Sequence, residues 1–210
     1  PTPAAPFKLT ALARGLDHPR WLYTLPNGDV LVAESNRPPK AQEDDSLYRR
    51  IRAKVQGMVM KRAGADVPSA NRITLLRDTD GDGIAETRTV FLSNLNSPFG
   101  MALVGNELFI ANADALVKVP YSAGQTVAAG IPVQVTELPA GVNHHWTKNV
   151  IASPDGNKLY VAVGSNSNVG ERGLQEEEGR AAIWEVDPRR GAKRLFATCL
   201  RNPNGMGWEP

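Results

Sequence analysis

The chain has 210 residues, 41% of them hydrophobic and 22% charged, a balance that suits a folded domain and excludes a disordered one. A formal charge of +2 makes no case for a nucleic-acid partner, and no apolar run reaches the ~20 residues that a membrane span needs. The single cysteine, Cys199, excludes an internal disulfide. The opening PTPAAPFKL lacks the charged and apolar regions of an intact signal peptide, and it suits the mature N-terminus of a processed, periplasmic or secreted protein.

One pattern recurs along the chain: a Gly/Leu-Asn/Asp-x-Pro loop, a short apolar strand, a turn, and a second strand rich in Val, Ile, Leu and Tyr. The first copy is GLDHPRWLYTLPNGDVLVAES, turning at Pro26-Asn27-Gly28-Asp29. Runs RITLLRD and ETRTVFL follow it. The second copy, LNSPFGMALVGNELFIANAD, turns at Gly105-Asn106 and is followed by ALVKVPY and PVQVTEL. The third, GVNHHWTKNVIASPDGNKLYVAVGS, turns at Pro154-Asp155-Gly156-Asn157 and is followed by AAIWEVD and KRLFATC. Turn residues that tolerate positive φ between short alternating strands are hairpin chemistry. Units of about four strands recurring every ~40–50 residues predict an all-β chain of the β-propeller type.

The fourth copy, CLRNPNGMGWEP, runs only to Pro210. A blade buries both faces only between neighbours, and propellers close with roughly four to eight blades. Residues 1–210 are therefore expected to be the N-terminal part of a single propeller domain, about the first three blades and the start of a fourth. The C-terminal remainder of the same ring would be their partner.

Residues 37–70, RPPKAQEDDSLYRRIRAKVQGMVMKRAGADVPSA, interrupt the first blade. Leu47, Ile51, Val55, Met58 and Val59 follow helical spacing, with Asp44 and Asp45 ahead of them and Arg and Lys in the later turns. The expectation is a partly helical insertion packed on the rim. The other reading is a basic docking face for a redox partner or an acidic membrane.

In a propeller the loops leading into the innermost strands converge on one mouth of the channel. Asp17-His18-Pro19, Asn96-Ser97-Pro98, His144-His145 and Arg201-Asn202-Pro203 occupy that loop in successive copies. All three histidines thus fall at one mouth, two of them adjacent, where an imidazole serves as a general base. Neighbouring residues entering a strand point to opposite sides, so one of the pair is expected to face the channel. The run Asp78-Thr79-Asp80-Gly81-Asp82-Gly83-Ile84-Ala85-Glu86 offers carboxylates at alternating positions around glycines, an arrangement that suits Ca²⁺. Thr89 stands where a full EF-hand loop has its bidentate glutamate, so a plain Asp/Gly turn remains the other reading. Glu176-Glu177-Glu178 reads as a solvated loop.

The runs NHHWTKNVIASPDGNKLYVAVGSNSNVGERG, EEEGRAAIWEVDP, LRNPNGMGWEP and SANRITLLRDTDGDGIAETRTVFLSNLNSPFGMALVG resemble the sorbosone dehydrogenase branch of the soluble sugar dehydrogenases that use pyrroloquinoline quinone (PQQ). The resemblance covers the chain after residue 10 apart from the insertion. It implies a six-bladed propeller with the quinone across the mouth, assisted by Ca²⁺. It also implies oxidation of an aldose or a hydrated sugar aldehyde, with electrons passing on to a quinone or a cytochrome. Counting back from Ser153-Pro154-Asp155, His145 matches the catalytic histidine. His144 stands where glucose-oxidising relatives carry an aspartate and would contact substrate; Trp146 either forms an apolar wall for the sugar or packs in the core. Asn202, following Arg201, matches an asparagine that contacts the cofactor. Asn96 is the nearest polar residue to the place of a glutamine contributed by those relatives. The cations that clamp the quinone and the carbonyls that hold the catalytic Ca²⁺ would come from beyond residue 210.

Two other classes fit a propeller. A sugar-lactone hydrolase would hold a divalent metal with Glu34, Asn143 and Asn202. A binding module for protein or glycan would have no catalytic residues.

Overall fold

The computed structural model describes residues 2–38, 68–171 and 173–209. Among them the chain is all-β, in three four-stranded antiparallel sheets. The first sheet is β1 (Pro19–Thr24), β2 (Val30–Glu34), β3 (Arg72–Arg77) and β4 (Thr87–Leu92). β5 (Met101–Val104), β6 (Glu107–Ala111), β7 (Ala115–Pro120) and β8 (Val133–Glu137) make the second. The third is β9 (Val150–Ala152), β10 (Leu159–Val163), β11 (Ala182–Val186) and β12 (Lys193–Ala197). Each sheet is a meander in chain order, as the repeat in the sequence implies. One 3₁₀ turn, Leu174–Glu177, precedes β11.

The turns form where turn chemistry was legible. Between β9 and β10, Ser153 and Asp155 close the loop: Ser153 Oγ donates to Asp155 Oδ1 at 2.6 Å, and Asn157 N donates to the same oxygen at 3.0 Å. Gly156 supplies the φ of 69° that this turn requires and other residues resist.

Period-2 alternation in β6 explains how the sheets stack. Leu108 and Ile110 pack with Leu31, Ile73, Leu75 and Phe91 of the first sheet. Phe109 and Ala111, on the opposite face, pack with Val150, Leu159, Val161 and Val186 of the third. The middle sheet is thus covered on both sides. The outer strand β12 is largely exposed.

β5 lies against β9, so the first strands of neighbouring sheets are the ones that meet. Gly100 N donates to Lys148 O at 3.0 Å, just ahead of those two strands. Only glycine fits there, because a Cβ on residue 100 would lie 2.4 Å from Val150 N.

Two expectations need a note. The predicted helix falls on residues 39–67, outside the described residues; β2 and β3, which the insertion separates, still pair in register from Val30↔Leu76 to Glu34↔Arg72. The fourth copy does not start a strand within residues 199–209. Pro203 has no N–H for a ladder, and Asn204 O accepts from the Asn149 side chain at 2.7 Å instead. The segment still runs beside the third sheet, where Trp208 Nε1 donates to Ala152 O at 2.6 Å.

Candidate functional site

In a meander, the loop before strand one and the connection between strands two and three lie at the same end of the sheet. The structure joins these loops across all three sheets. Ser35 Oγ, after β2, donates to Pro98 O, before β5, at 2.6 Å. Asn143 Nδ2, before β9, donates to Ala113 O, after β6, at 2.9 Å. Arg37 reaches from the first sheet to donate to His144 O at 3.3 Å. Three aromatic rings stack at this end, Trp21 from β1, Phe99 from the loop before β5 and Trp146 from the loop before β9: Trp21 and Phe99 have centroids 5.4 Å apart, and Phe99 meets Trp146 edge-on at 6.3 Å. Trp146 is buried in this stack, with the Arg20 guanidinium 5.7 Å from its ring centre.

The two histidines just before Trp146 are both half-buried. Their rings meet edge-on, 4.8 Å apart and inclined at 82°. His145 Nδ1 lies 2.9 Å from Ser165 O and 3.0 Å from Ser165 Oγ, and its amide also donates to Ser165 O. A carbonyl only accepts, and the Ser165 hydroxyl already donates to Ser167 O at 2.7 Å. The bonding therefore assigns the proton to Nδ1 and leaves Nε2 as the acceptor. The His144 amide donates to Asn166 Oδ1 at 3.2 Å.

Gly164 lets a third group approach. A Cβ at that position would lie 2.4 Å from Asn202 Oδ1 and 2.5 Å from His145 Cβ. His145 and Asn202 therefore flank one glycine, although they are far apart in the chain. Asn202 Oδ1 is buried with no hydrogen-bond partner among the described residues, an arrangement that natural folds rarely leave without a reason. Arg201 anchors the same segment: its carbonyl accepts from Ser165 N at 2.8 Å, and its guanidinium donates to Asn168 O at 3.2 Å and to Asn168 Oδ1. Asn96 is exposed on the loop before β5, and its carbonyl accepts from Ala113 N at 2.9 Å.

Several groups at this end escaped the sequence reading. Glu177 is no free surface carboxylate: it accepts from Asn166 N at 2.6 Å and from Ser167 Oγ, fixing the loop that carries Ser165. Glu171 caps the same loop, accepting from Val169 N at 2.8 Å and Asn168 N at 3.2 Å. Those backbone donors, with a smaller contribution from His144, hold its carboxyl at about 2. Lys148 is completely buried and donates to Asn143 Oδ1 at 3.1 Å. Arg180, also buried, donates to the same oxygen at 3.2 Å, to Gly164 O at 3.4 Å and to Ala140 O. The sequence signal was faint, a lysine three places after His145.

The donor set imagined for a lactone hydrolase is not assembled. Glu34 is fully buried, and its oxygens accept from Arg72 Nε and Nη2 at 3.1 Å each, from Thr74 Oγ1 and from Asp17 N. Burial pushes its carboxyl up, but Arg72, Thr74 and Asp17 outweigh that and hold it below the usual range. Asn143 Oδ1 is taken by two cations. Of these three, Asn202 alone keeps a buried oxygen unpaired among the described residues.

The acidic run is elsewhere. Asp78, Asp80, Asp82 and Glu86 bring ligand atoms within 4.8 Å of one another on the β3–β4 turn, at the end opposite the histidines. Asp78 accepts from Gly81 N at 2.7 Å and Gly83 N at 2.8 Å, and Glu86 from Thr79 N at 2.7 Å, which shapes the turn and lowers both carboxyls. Among the described residues no helix is long and apolar enough to cross a membrane.

Solved structures share this fold. The PQQ domain of a pyranose dehydrogenase from Coprinopsis cinerea, in its holo form, superposes with a TM-score of 0.62 at 20% identity, over 91% of this chain and 41% of that one. A putative oxidoreductase (glucose dehydrogenase) from Thermus thermophilus gives 0.56 at 21%, over 93% and 55%. The PQQ-bound aldose sugar dehydrogenase of Streptomyces coelicolor gives 0.53 at 18%, over 86% and 47%. The chain thus spans about half the length of these structures. No curated protein sequence matches it. Residues 9–206 match the model of a family described as a domain of unknown function, DUF7133, and the chain belongs to that family.

Proposed function

We propose that this chain is the N-terminal part of a six-bladed propeller quinoprotein that oxidises a sugar or a hydrated sugar aldehyde, of the sorbosone or aldose type, with His145 as the base. The observation that carries the reading is the pairing of His145, its Nε2 left as an acceptor by the Ser165 anchor, with Asn202 across Gly164. The likeness in fold to PQQ-binding sugar dehydrogenases supports it. The shortfall in length against those structures supports further blades after residue 210.

The residues present fit the quinone as far as they go. Asn202 stands at the mouth with its Oδ1 unpaired among the described residues, its amide N–H groups would donate to a quinone or carboxylate oxygen, and Arg201 and Asn96 lie on the loops that meet there. The cations that clamp the quinone and the carbonyls for a catalytic Ca²⁺ belong to the later blades. Bound there, PQQ supplies the acceptor for hydride. His145 Nε2 takes the proton of the sugar hydroxyl as the neighbouring C–H bond is broken. The Ser165 carbonyl holds the ring in register and stabilises the positive charge that then develops on it. His144 contacts the sugar, and the buried Trp146 stack holds the loop that carries both histidines. Electrons leave to a quinone or cytochrome in the periplasm or outside the cell. A structural Ca²⁺ on the Asp78–Glu86 turn would lie away from the chemistry.

Reconstitution of the full-length protein with PQQ and Ca²⁺ tests this reading. Dye reduction that depends on both the quinone and an aldose or sorbosone supports it. Lactone hydrolysis without quinone, or glycan binding without turnover, overturns it.

A further inference from the structure

We propose that Lys148 is a proton-linked positioning residue for His145, acting through Asn143 together with Arg180. The proposal deepens the reading of His145 as the base and rests on it.

The two histidines sit in an arc from Asn143 to Lys148, and one bond closes the arc: Lys148 Nζ to Asn143 Oδ1, 3.1 Å. Asn143 adopts φ 50°, a left-handed conformation that asparagine tolerates better than most residues, and its Nδ2 is tied to Ala113 O. Arg180 grips the same Oδ1 at 3.2 Å and also Gly164 O, beside Ser165, which anchors the His145 ring. One amide oxygen therefore joins the histidine arc to the loop that orients the imidazole. Both side chains are buried, Lys148 at 0% and Arg180 at 6% exposure, and neither has a carboxylate ion-pair partner among the described residues.

Two positive charges on one neutral oxygen is an expensive arrangement in a buried site. Arg180 stays charged at any ordinary pH, so Lys148 is the group that yields. Burial first, and then the Arg180 charge, bring its ammonium down to about 7, against a smaller opposing pull from Asp114 on the turn after β6. Glu177 and Glu176 face Arg180 and favour its charge. On the arc itself the neighbouring titratable groups are His144 and His145, and Arg37 reaches the His144 carbonyl. As a neutral amine Lys148 closes the arc without opposing Arg180. Once protonated it repels Arg180, the shared grip loosens, and the His145–Ser165 bond loses its fixed geometry.

The test uses the full-length protein with lysine and histidine side chains isotope-labelled, followed by NMR from pH 5 to 10 before PQQ is added, with Lys148→Arg and Lys148→Met alongside. In the wild type the Lys148 signal is expected to step near pH 7, and the His145 Nδ1–H signal to broaden on the acid side of the same step. Lys148→Arg, charged throughout, should show the broadened form even at pH 9, and after loading its kcat should fall at least tenfold with KM unchanged. Lys148→Met should lose the shared step. A Lys148 amine that stays protonated to pH 9 in the wild type overturns the proposal, and so does a His145 signal that ignores the step. If the NMR behaviour appears but the loaded protein oxidises no sugar, the coupling stands and the quinone reading fails.

Discussion

At the residue scale, carboxylate–arginine pairs hold the fold, while the buried Lys148 and Arg180 at the mouth have no counter-ion among the described residues. Asp29 is 3% exposed and takes both branches of the Arg77 fork, at 2.7 Å each. Arg77 first, and then Asn27, hold its carboxyl below the usual value against the opposing effect of burial. Asp29→Asn is expected to destabilise the protein by about 2–3 kcal/mol in urea unfolding. Asp29 and Glu34 are both depressed on folding, so their stabilisation is complete above the unfolded values near 3.8 and 4.5. It is lost as pH falls through the lower folded values, and the melting temperature should drop there. Lys148 follows the same sign for a different reason, because burial and the Arg180 charge disfavour its charged form. Its folded value of about 7 lies below the 10.5 of the free side chain, so the unfolded chain binds more protons between them. Stability should therefore rise with pH across that window in the wild type and not in Lys148→Met.

At the scale of elements, much was legible because hairpins are local. The PNG and PDG turns, and the strands they join, could be read from a few neighbouring residues. The twelve strands fall within or overlap the apolar runs of the sequence. What stayed hidden was tertiary. Nothing within a few residues of Lys148 announces Arg180, which arrives from the connection before β11, and nothing near Gly164 announces Asn202. The 3₁₀ turn at Leu174–Glu177 looked like a solvated acidic stretch, because the backbone amide that Glu177 caps lies eleven residues earlier. Two substitutions probe this level. Phe109→Ala, at the seam of the second and third sheets, should lower stability by about 3–5 kcal/mol. Gly164→Ala should keep the circular dichroism of the fold while shifting His145 or Asn202, with at least a tenfold loss of sugar oxidation in the loaded protein.

At the scale of the whole molecule, the first and third sheets each carry apolar side chains in water. Leu22 and Val90 of the first are exposed. On the third, Tyr160 stacks edge-on with Phe196 at 4.9 Å and with Trp208 at 5.4 Å, and those two partners are half exposed. The middle sheet, covered on both faces, shows what such a sheet looks like with neighbours in place. With the cofactor clamp assigned to later blades, residues 1–210 alone should bind PQQ far more weakly in calorimetry than the full-length protein. Calcium belongs to this scale too. If the Asp78–Glu86 turn holds a structural ion, Ca²⁺ at a hundredfold excess over its Kd should stabilise the fold by about 2.7 kcal/mol, and Asp80→Asn should weaken that response.

The account comes down to one imidazole, and turnover of the PQQ- and Ca²⁺-loaded full-length protein in the wild type, His145→Ala and His144→Ala tests it most directly. Loss of a general base predicts a fall of roughly 10²–10⁴-fold in kcat for His145→Ala, with His144→Ala changing mainly KM. Sugar-dependent dye reduction that survives in His145→Ala at wild-type kcat would contradict it.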